Sequence, residues 1–185
     1  MKSILKHLSL LHYVTLFVVD NIKSASITNR DATPRVLNPA YKDGGRERYK
    51  SEVGTLLTAA AEVASKIRFF SVRSNDVMRS LTLDAGTFGT GCTMDIGIYR
   101  NTVDGAAVRD ADFFASAVDL ATAQRGTDVL HESGVVAVAD RTKMLWEQLG
   151  YTVDPQCEFD VVGTLAGAAT VAGTAWLRGT VVGSH

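Results

Sequence analysis

Cysteine and proline are scarce in this sequence, which has two cysteines and three prolines among 185 residues. Cys92 and Cys157 lie in different segments, and neither has a second pair of ligands at the spacing of a zinc site. The sequence therefore favours neither a zinc site nor a disulfide framework. Both cysteines fall on the apolar phase of predicted strands, so we predict two buried free thiols in a protein made in a reducing compartment.

Neither sign of charge dominates, because 19 Lys and Arg residues are balanced by 20 Asp and Glu residues. The formal net charge of -1 lacks the strongly basic character that is typical of nucleic-acid-binding proteins. The distribution is uneven, since residues 1–76 carry a net charge of +5 and residues 77–185 carry -6. This asymmetry suggests an electrostatic contact, for which a neighbouring copy of the chain is one candidate.

A long uninterrupted apolar run is also missing. The first 26 residues, MKSILKHLSLLHYVTLFVVDNIKSAS, have the outline of a secretory signal, with Lys2 and Lys6 before an apolar run that ends at Val19. His7 and His12 weaken that interpretation, and the run is too short and too interrupted to span a membrane. Three interpretations stay open: a signal peptide, an uncleaved packing arm and an over-extended gene start.

The hydrophobic content of 46% is enough for one main domain with a real core. Residues 27–50 hold two of the three prolines and a Gly-Gly pair, which predicts an extended, irregular connector. The next stretch, SEVGTLLTAAAEVASK, indicates a short helix or a loosely defined segment. We therefore predict an N-terminal arm and connector over residues 1–65 and a β-rich domain over residues 66–185.

Beyond the connector, apolar and polar residues alternate with period two, which is typical of half-buried strands. The glycine-rich stretch LDAGTFGTGCTMDIGIY contains Gly86, Gly89 and Gly91 directly before one of these strands. A phosphate-binding loop instead delivers its amides at the start of a helix, so we interpret these glycines as a turn. The predicted strands cover residues 66–72, 77–85, 92–99, 157–165 and 173–183.

Two helices are predicted among these strands. The first begins with Asp110 as its N-cap and ends at Arg125 and Gly126, and its apolar residues recur at helical spacing. The second, DRTKMLWEQLG, is capped by Asp140 and closed by Gly150. Because the helices only punctuate the strands, the sequence predicts a mainly β, antiparallel β-sandwich or jelly-roll-like domain with two short helices and an extended N-terminal arm.

Candidate catalytic groups have simpler structural explanations. Asp128, His131 and Glu132 could form a metal or acid-base cluster, but their spacing matches no known ligand frame. Asp110 and Asp112 form a D-x-D pair, yet they fall where helix caps and first-turn acids belong. No G-x-S-x-G elbow is present in the sequence. We therefore predict no catalytic residue, no cofactor and no metal.

The segment KDGGRERYK places Arg46, Arg48, Tyr49 and Lys50 close together. Such a cluster could touch phosphates and stack a base, but acidic residues are interleaved with it. We interpret it as a solvated or partner-facing surface, and we expect neither a nucleic-acid nor a membrane partner.

The order of several motifs resembles a family of small tailed-bacteriophage virion proteins, which are encoded near the major capsid protein and act as head decoration or cement proteins. The similarity covers about residues 66–183 and includes RFFSVRSNDVMRSLTLDAG, MDIGIYRNTVDGAAVRDADFFASAVDLA, TDVLHESG, LWEQLGYTVDP and FDVVGTLAGAATVAGTAWLRGTVV. The most specific pieces are the strand, D-G turn and D-x-F-A-S-A unit and the LWEQLG motif.

The resemblance implies a non-enzymatic protein of the phage head that is made in the host cytoplasm and binds the major capsid protein. It also implies self-association as a dimer or trimer. A tail or neck component, or an unrelated self-assembling β-domain, is the alternative. Repeated weak contacts through an arm suit such a role, so we expect the region from Ser24 to Lys50 to cross onto capsid protein or a sister copy. The expected contact residues are Arg35, Tyr41, Arg46, Arg48 and Tyr49.

Overall fold

A computed structural model describes residues 21–36, 47–56, 61–101 and 108–183 of the chain. Their strands form two sheets that pack face to face as a β-sandwich. The strands are β1 (Asn21–Lys23), β2 (Glu47–Leu56), β3 (Lys66–Arg73), β4 (Asp76–Ala85), β5 (Thr93–Arg100), β6 (Val108–Asp119), β7 (Gln124–Asp128), β8 (Glu158–Leu165) and β9 (Gly173–Gly183). The helices are α1 (Ala25–Asp31), a 3₁₀ turn (Val138–Asp140) and α2 (Leu145–Gln148).

Strand pairing is antiparallel throughout except where β1 runs parallel to β3. The five-stranded sheet has the order β1-β3-β8-β5-β6, and the four-stranded sheet has the order β2-β9-β4-β7. The predicted sandwich architecture is therefore confirmed. In the four-stranded sheet, β9 lies between β2 and β4, although it follows them by more than 80 residues.

The core lies between the two sheets and is built from alternate residues of the predicted strands. Leu81 and Leu83 of β4 are fully buried, as are Met94, Ile96 and Ile98 of β5. These positions have the period-two alternation from which the strands were predicted. All five predicted strands are present, within one or two residues at their ends.

The predicted helix from Asp110 to Gly126 is wrong, because residues 108–119 form strand β6. The twelve residues of β6 pair with the eight residues of β5, so the register shifts three times. These bulges bury Phe113, Phe114 and Ala115 in succession, and Ala117 adopts a left-handed φ of 53°. The bulges destroy the alternation that identifies a strand, and the resulting apolar spacing imitates a helix.

The connector prediction for residues 27–50 is wrong for residues 27–31 and 47–50, whereas residues 32–36 are irregular, as predicted. Residues from Ala25 to Asp31 form α1, with Ser24 as its N-cap. Residues from Glu47 to Leu56 form β2, which pairs with β9 along its full length, so the helix or loose segment predicted from residue 51 begins as a strand. Residues 1–20, 37–46 and 57–60 lie outside the described part, and the boundary at residue 65 stays a prediction.

The second predicted helix is confirmed only as the short α2. Met144 occupies the N-cap position, and Glu147 accepts a hydrogen bond of 2.9 Å from the Met144 amide. Asp140, the predicted cap, instead belongs to the preceding 3₁₀ turn. Gly150 follows the helix with a φ of 76°, a left-handed conformation that favours glycine, as the sequence predicted.

The glycine-rich stretch is a loop before a strand, as predicted. Gly89 and Gly91 have φ angles of 99° and 78°, and β5 rather than a helix follows them. Cys92, at the end of this loop, is buried, and its burial raises the pKa of the thiol to about 11. Cys157 is exposed, so its predicted burial is wrong. It precedes β8 and lies outside the alternation that continues from Phe159.

Candidate interaction surface

The outer face of the five-stranded sheet is covered by the chain's own N-terminal region. Helix α1 packs on β3, and its Ile27 side chain is buried. The Ser24 amide donates a 2.9 Å hydrogen bond to the carbonyl oxygen of Arg68. This position places α1 directly over the polar residues that β3 and β8 direct away from the core.

A buried ion network joins α1 to this face. Asp160 of β8 is fully buried and forms ion pairs with Arg68 of β3 and Arg30 of α1. It also accepts a 2.9 Å hydrogen bond from the Ser71 hydroxyl. Asp31 pairs with Lys23 at 2.7 Å and with Arg30 at 2.8 Å. The two buried carboxylates therefore have cationic partners on both the helix and the sheet.

The network shifts the pKa of Arg30 and of Asp31 toward their charged forms. Burial alone would lower the pKa of Arg30, but hydrogen bonds and attraction to Asp160 and Asp31 raise it. Burial alone would raise the pKa of the Asp31 carboxyl, but Lys23 and Arg30 lower it below its ordinary value. The ion pairs thus favour α1 in its place on the sheet.

A cavity of about 150 Å³ opens beside this network, between α1, β2, β3 and β8. Burial lowers the pKa of Lys50, and attraction to Asp76 and Glu158 offsets only part of this shift. Asp76 is fully buried and forms an ion pair with Arg48. Five of the cavity's nine lining residues are cationic and one is acidic, so it presents positive charge. The cations are Arg30, Arg35, Arg48, Lys50 and Arg73.

The outer face of the four-stranded sheet exposes aromatic and apolar side chains among polar ones. Tyr49 and Val53 of β2 are 51% and 49% exposed, and Trp176 of β9 is 39% exposed. Val53 and Trp176 lie opposite each other on adjacent strands. The Trp176 indole donates a 2.7 Å hydrogen bond to the Ser51 hydroxyl, and the Arg178 guanidinium lies 4.8 Å from the ring centroid. We call these five residues the tryptophan face.

The expected contact residues separate in the structure. Arg35 and Arg48 both line the cationic cavity. Tyr49 lies on the opposite side of β2, on the tryptophan face, because successive strand residues point in opposite directions. Tyr41 and Arg46 lie outside the described residues. The single expected contact site therefore contributes to two different surfaces.

Sequence reasoning missed the residues that complete both surfaces. Trp176 was part of a predicted strand, and its phase opposite Leu177 already placed it on the outer face. Arg73 and Arg30 join the cavity through the packing of α1 on β3. No local pattern predicts that packing, because α1 itself was not predicted.

The predicted chemical candidates are engaged in backbone contacts. Asp128 accepts a 3.0 Å hydrogen bond from the Leu130 amide, and Glu132 accepts one of 2.7 Å from the Ser116 amide. Burial and the charge of Arg141 lower the pKa of His131. These contacts stabilise the chain after β7, which is a structural role.

Asp110 and Asp112 lie on strand β6 and not at a helix start, so their predicted role as cap and first-turn acid is wrong. Burial and the neighbouring Asp112 raise the pKa of Asp110. Within residues 21–36, 47–56, 61–101 and 108–183, no three His, Cys, Asp or Glu side chains group in a way that could hold a metal. In the same residues, no helix is both long and apolar enough to cross a membrane.

Comparisons with known proteins concern the fold. No protein-family model and no curated protein matches the sequence. A chain from the structure titled "Capsid of Ralstonia phage GP4" has the same fold, with a TM-score of 0.51 and 15% identity over 80% of this chain and 92% of that chain. A chain from "Cyanophage Pam1 capsid asymmetric unit" aligns over 81% of this chain and 94% of that chain, at 15% identity and a TM-score of 0.44.

Proposed function

We propose that this protein is a structural component of a tailed-bacteriophage head, where it decorates and stabilises the shell of the major capsid protein. The observation that carries the proposal is the fold shared with a chain of the Ralstonia phage GP4 capsid across 92% of that chain. The motif order over residues 66–183 supports the same assignment. The role is non-enzymatic and requires no cofactor, and it places the protein, made in the host cytoplasm, in the virion.

The tryptophan face is the surface that we assign to the shell contact. Trp and Tyr are enriched among the residues that dominate protein–protein binding. Arg178 pairs with Asp84 and lies over Trp176, so the indole is held in one orientation before any partner arrives. A fixed aromatic side chain loses little conformational entropy on binding. Arg35, Tyr41, Arg46 and Arg48 stay predicted contacts of the N-terminal region.

Reconstitution on empty shells tests the proposal. Shells of the phage that encodes this chain, prepared without the protein, are mixed with the purified chain and sedimented, and occupancy is counted by cryo-electron microscopy. Decoration predicts on the order of hundreds of symmetry-related copies per head. About six to a few tens of copies at one vertex would instead support a tail or neck component. Failure to bind shells would refute the head assignment.

Two variants with a matched control test the surface. Trp176→Ala removes a candidate hot-spot residue, and we expect shell affinity to fall about 30-fold or more, which corresponds to about 2 kcal/mol. Val53→Ser should weaken binding less. Val153→Ser changes an equally apolar residue that is 74% exposed but lies away from the tryptophan face, and it should bind as the wild type does. Equal losses in Val53→Ser and Val153→Ser would exclude this face as the contact.

A further inference from the structure

The two side edges of the sandwich carry opposite charge. One edge is formed by β1, β2 and β3, and the cationic cavity opens there. The opposite edge is formed by β6 and β7, the last strands of their sheets. Residues 1–76, which carry net positive charge, supply β1, β2 and β3, and residues 77–185, which carry net negative charge, supply β6 and β7.

The acidic edge presents exposed carboxylates. Asp119 ends β6, Asp128 ends β7, and Glu132 follows β7, and all three residues are exposed. The hydrogen bond from the Ser116 amide to Glu132 joins β6 to the segment that follows β7. These carboxylates accept hydrogen bonds from backbone amides, and those bonds fix their positions without neutralising their charge.

The arginines of the acidic edge are directed onto the protein. Arg109 donates a 2.6 Å hydrogen bond to the carbonyl oxygen of Leu149 and lies over the Tyr151 ring. Arg125 donates a 3.0 Å hydrogen bond to the carbonyl oxygen of Ala85. Both arginines keep their charge, but residues 108–132 contain five carboxylates and two arginines, so negative charge dominates the potential of this edge.

The cationic edge carries exposed positive charges that a partner can reach. Arg30 and Arg48 form ion pairs with buried aspartates of their own chain. Arg35 and Arg73 are exposed at the mouth of the cavity, and they take part in none of the ion pairs of the described residues. A partner carboxylate that enters this mouth would meet two guanidiniums, which can each bind it through two hydrogen bonds.

We propose that copies of this chain associate edge to edge, with the acidic edge of one copy seated at the cationic cavity of the next. The contact joins two different surfaces, so each pair leaves one edge of each kind unoccupied. Such contacts close into a ring of three or more copies or continue as an open chain, and they exclude a symmetric dimer. The inference concerns only contacts between copies and does not depend on shell binding.

Sedimentation equilibrium of the full chain tests the association. Raising the salt from about 0.1 M to about 1 M shortens the screening length from about 10 Å to about 3 Å, so association should weaken at least tenfold. A chain that stays monomeric at low salt up to about 1 mM would overturn the proposal, as would association that is indifferent to salt.

Neutral variants locate the two halves of the contact. Arg35→Gln with Arg73→Gln removes charge from the cavity mouth, and Asp119→Asn with Asp128→Asn removes it from the acidic edge while keeping oxygens that accept the backbone hydrogen bonds. Each double variant should associate at least tenfold more weakly than the wild type. In each case circular dichroism confirms that the fold is retained.

An exposed charge on the interior strand β4 provides the control. Arg79→Gln makes the same change in net charge as Arg73→Gln alone, and it should associate as the wild type does, whereas Arg73→Gln alone should weaken association. Equal weakening in this control would show a net-charge effect and overturn the proposal. Weakening by about 10 mM inorganic phosphate that exceeds the effect of matched ionic strength would support a carboxylate-binding cavity, because phosphate competes for the same guanidiniums.

Mixing the two double variants gives the sharpest result. Each retains one functional edge, so the mixture should form a two-copy complex that neither variant forms alone and that does not grow further. Fluorescence energy transfer between separately labelled variants detects it. A contact between identical surfaces would give no such rescue, and absence of the mixed pair would overturn the proposal. Shell binding of the same variants is measured separately, so either proposal can fail without the other.

Discussion

The outer faces of the two sheets differ in what covers them. On the five-stranded sheet, α1 seals a polar face whose central residues, Arg68 and Asp160, are fully buried. On the four-stranded sheet, Tyr49, Val53 and Trp176 stay substantially exposed. The chain therefore covers charge with its own helix and leaves aromatic surface accessible. A protein without partners would gain more stability from burying the aromatic residues than from burying these charges.

The largest expected effect comes from breaking the buried network. Asp160→Ala leaves Arg30 and Arg68 without their shared carboxylate, and uncompensated buried charge costs about 3–5 kcal/mol. On the other face, Asp84→Asn breaks the partly exposed ion pair with Arg178, for which we expect less than about 1 kcal/mol. Urea unfolding measures both variants. Equal losses would show that the two faces do not differ in this way.

The next effect concerns Gly97, on the outer side of β5. A Cβ atom there would lie 2.2 Å from the carbonyl oxygen of Asp110 and 2.3 Å from the backbone of Ala111, so Gly97→Ala must displace β6. We expect a loss of about 1–3 kcal/mol in the free energy of unfolding. Gly86→Ala is the matched control, because its nearest contact would be 3.8 Å away at Thr174, and it should change stability by less than about 0.5 kcal/mol.

Low pH should destabilise the ion network between α1 and the five-stranded sheet. The pKa of Asp31 is lowered in the folded protein, so its contribution is fully present above the unfolded value of about 3.9 and is lost as the pH falls through the folded value. Between about pH 5 and pH 2, the wild type should lose more stability than Asp31→Asn, which starts lower. Urea unfolding across this range checks it, and parallel pH profiles would contradict the assignment.

The smallest expected effect lies on the tryptophan face. Tyr49→Thr keeps a residue suited to a strand and removes only exposed aromatic surface, so stability should change within about 0.5 kcal/mol. Thermal and urea unfolding measure this change. A loss above about 2 kcal/mol would mean that Tyr49 supports the fold and is not held for a partner.

How much the sequence predicts depends on how regular each strand is. β4 and β9 alternate in burial along most of their length, and β3, β5 and β8 were predicted from alternating or β-branched and aromatic sequence although their outward residues are partly covered as well. β6 was not predicted, because its bulges place Phe113, Phe114 and Ala115 in one buried run. α1 was missed because its stability comes from Ile27 and the ion network rather than from an apolar stripe within the helix.

The candidate surfaces were predicted only in part for the same reason. Arg35, Arg48 and Tyr49 were predicted as contacts of one N-terminal region, but the pleat of β2 directs Arg48 and Tyr49 to opposite sides. Trp176 becomes a neighbour of Val53 only when β9 pairs with β2. Pairing between strands so distant in sequence leaves no local pattern.

The central place of β9 bears on how the protein is made. Both β2 and β4 hydrogen-bond to it, so the four-stranded sheet cannot form until the ribosome has synthesised residues 173–183 and released them from its exit tunnel. Until then, β2 and β4 cannot pair with β9, and pairing between strands so distant in sequence is slow. Assembly of the four-stranded sheet is therefore a step that follows synthesis of nearly the whole chain.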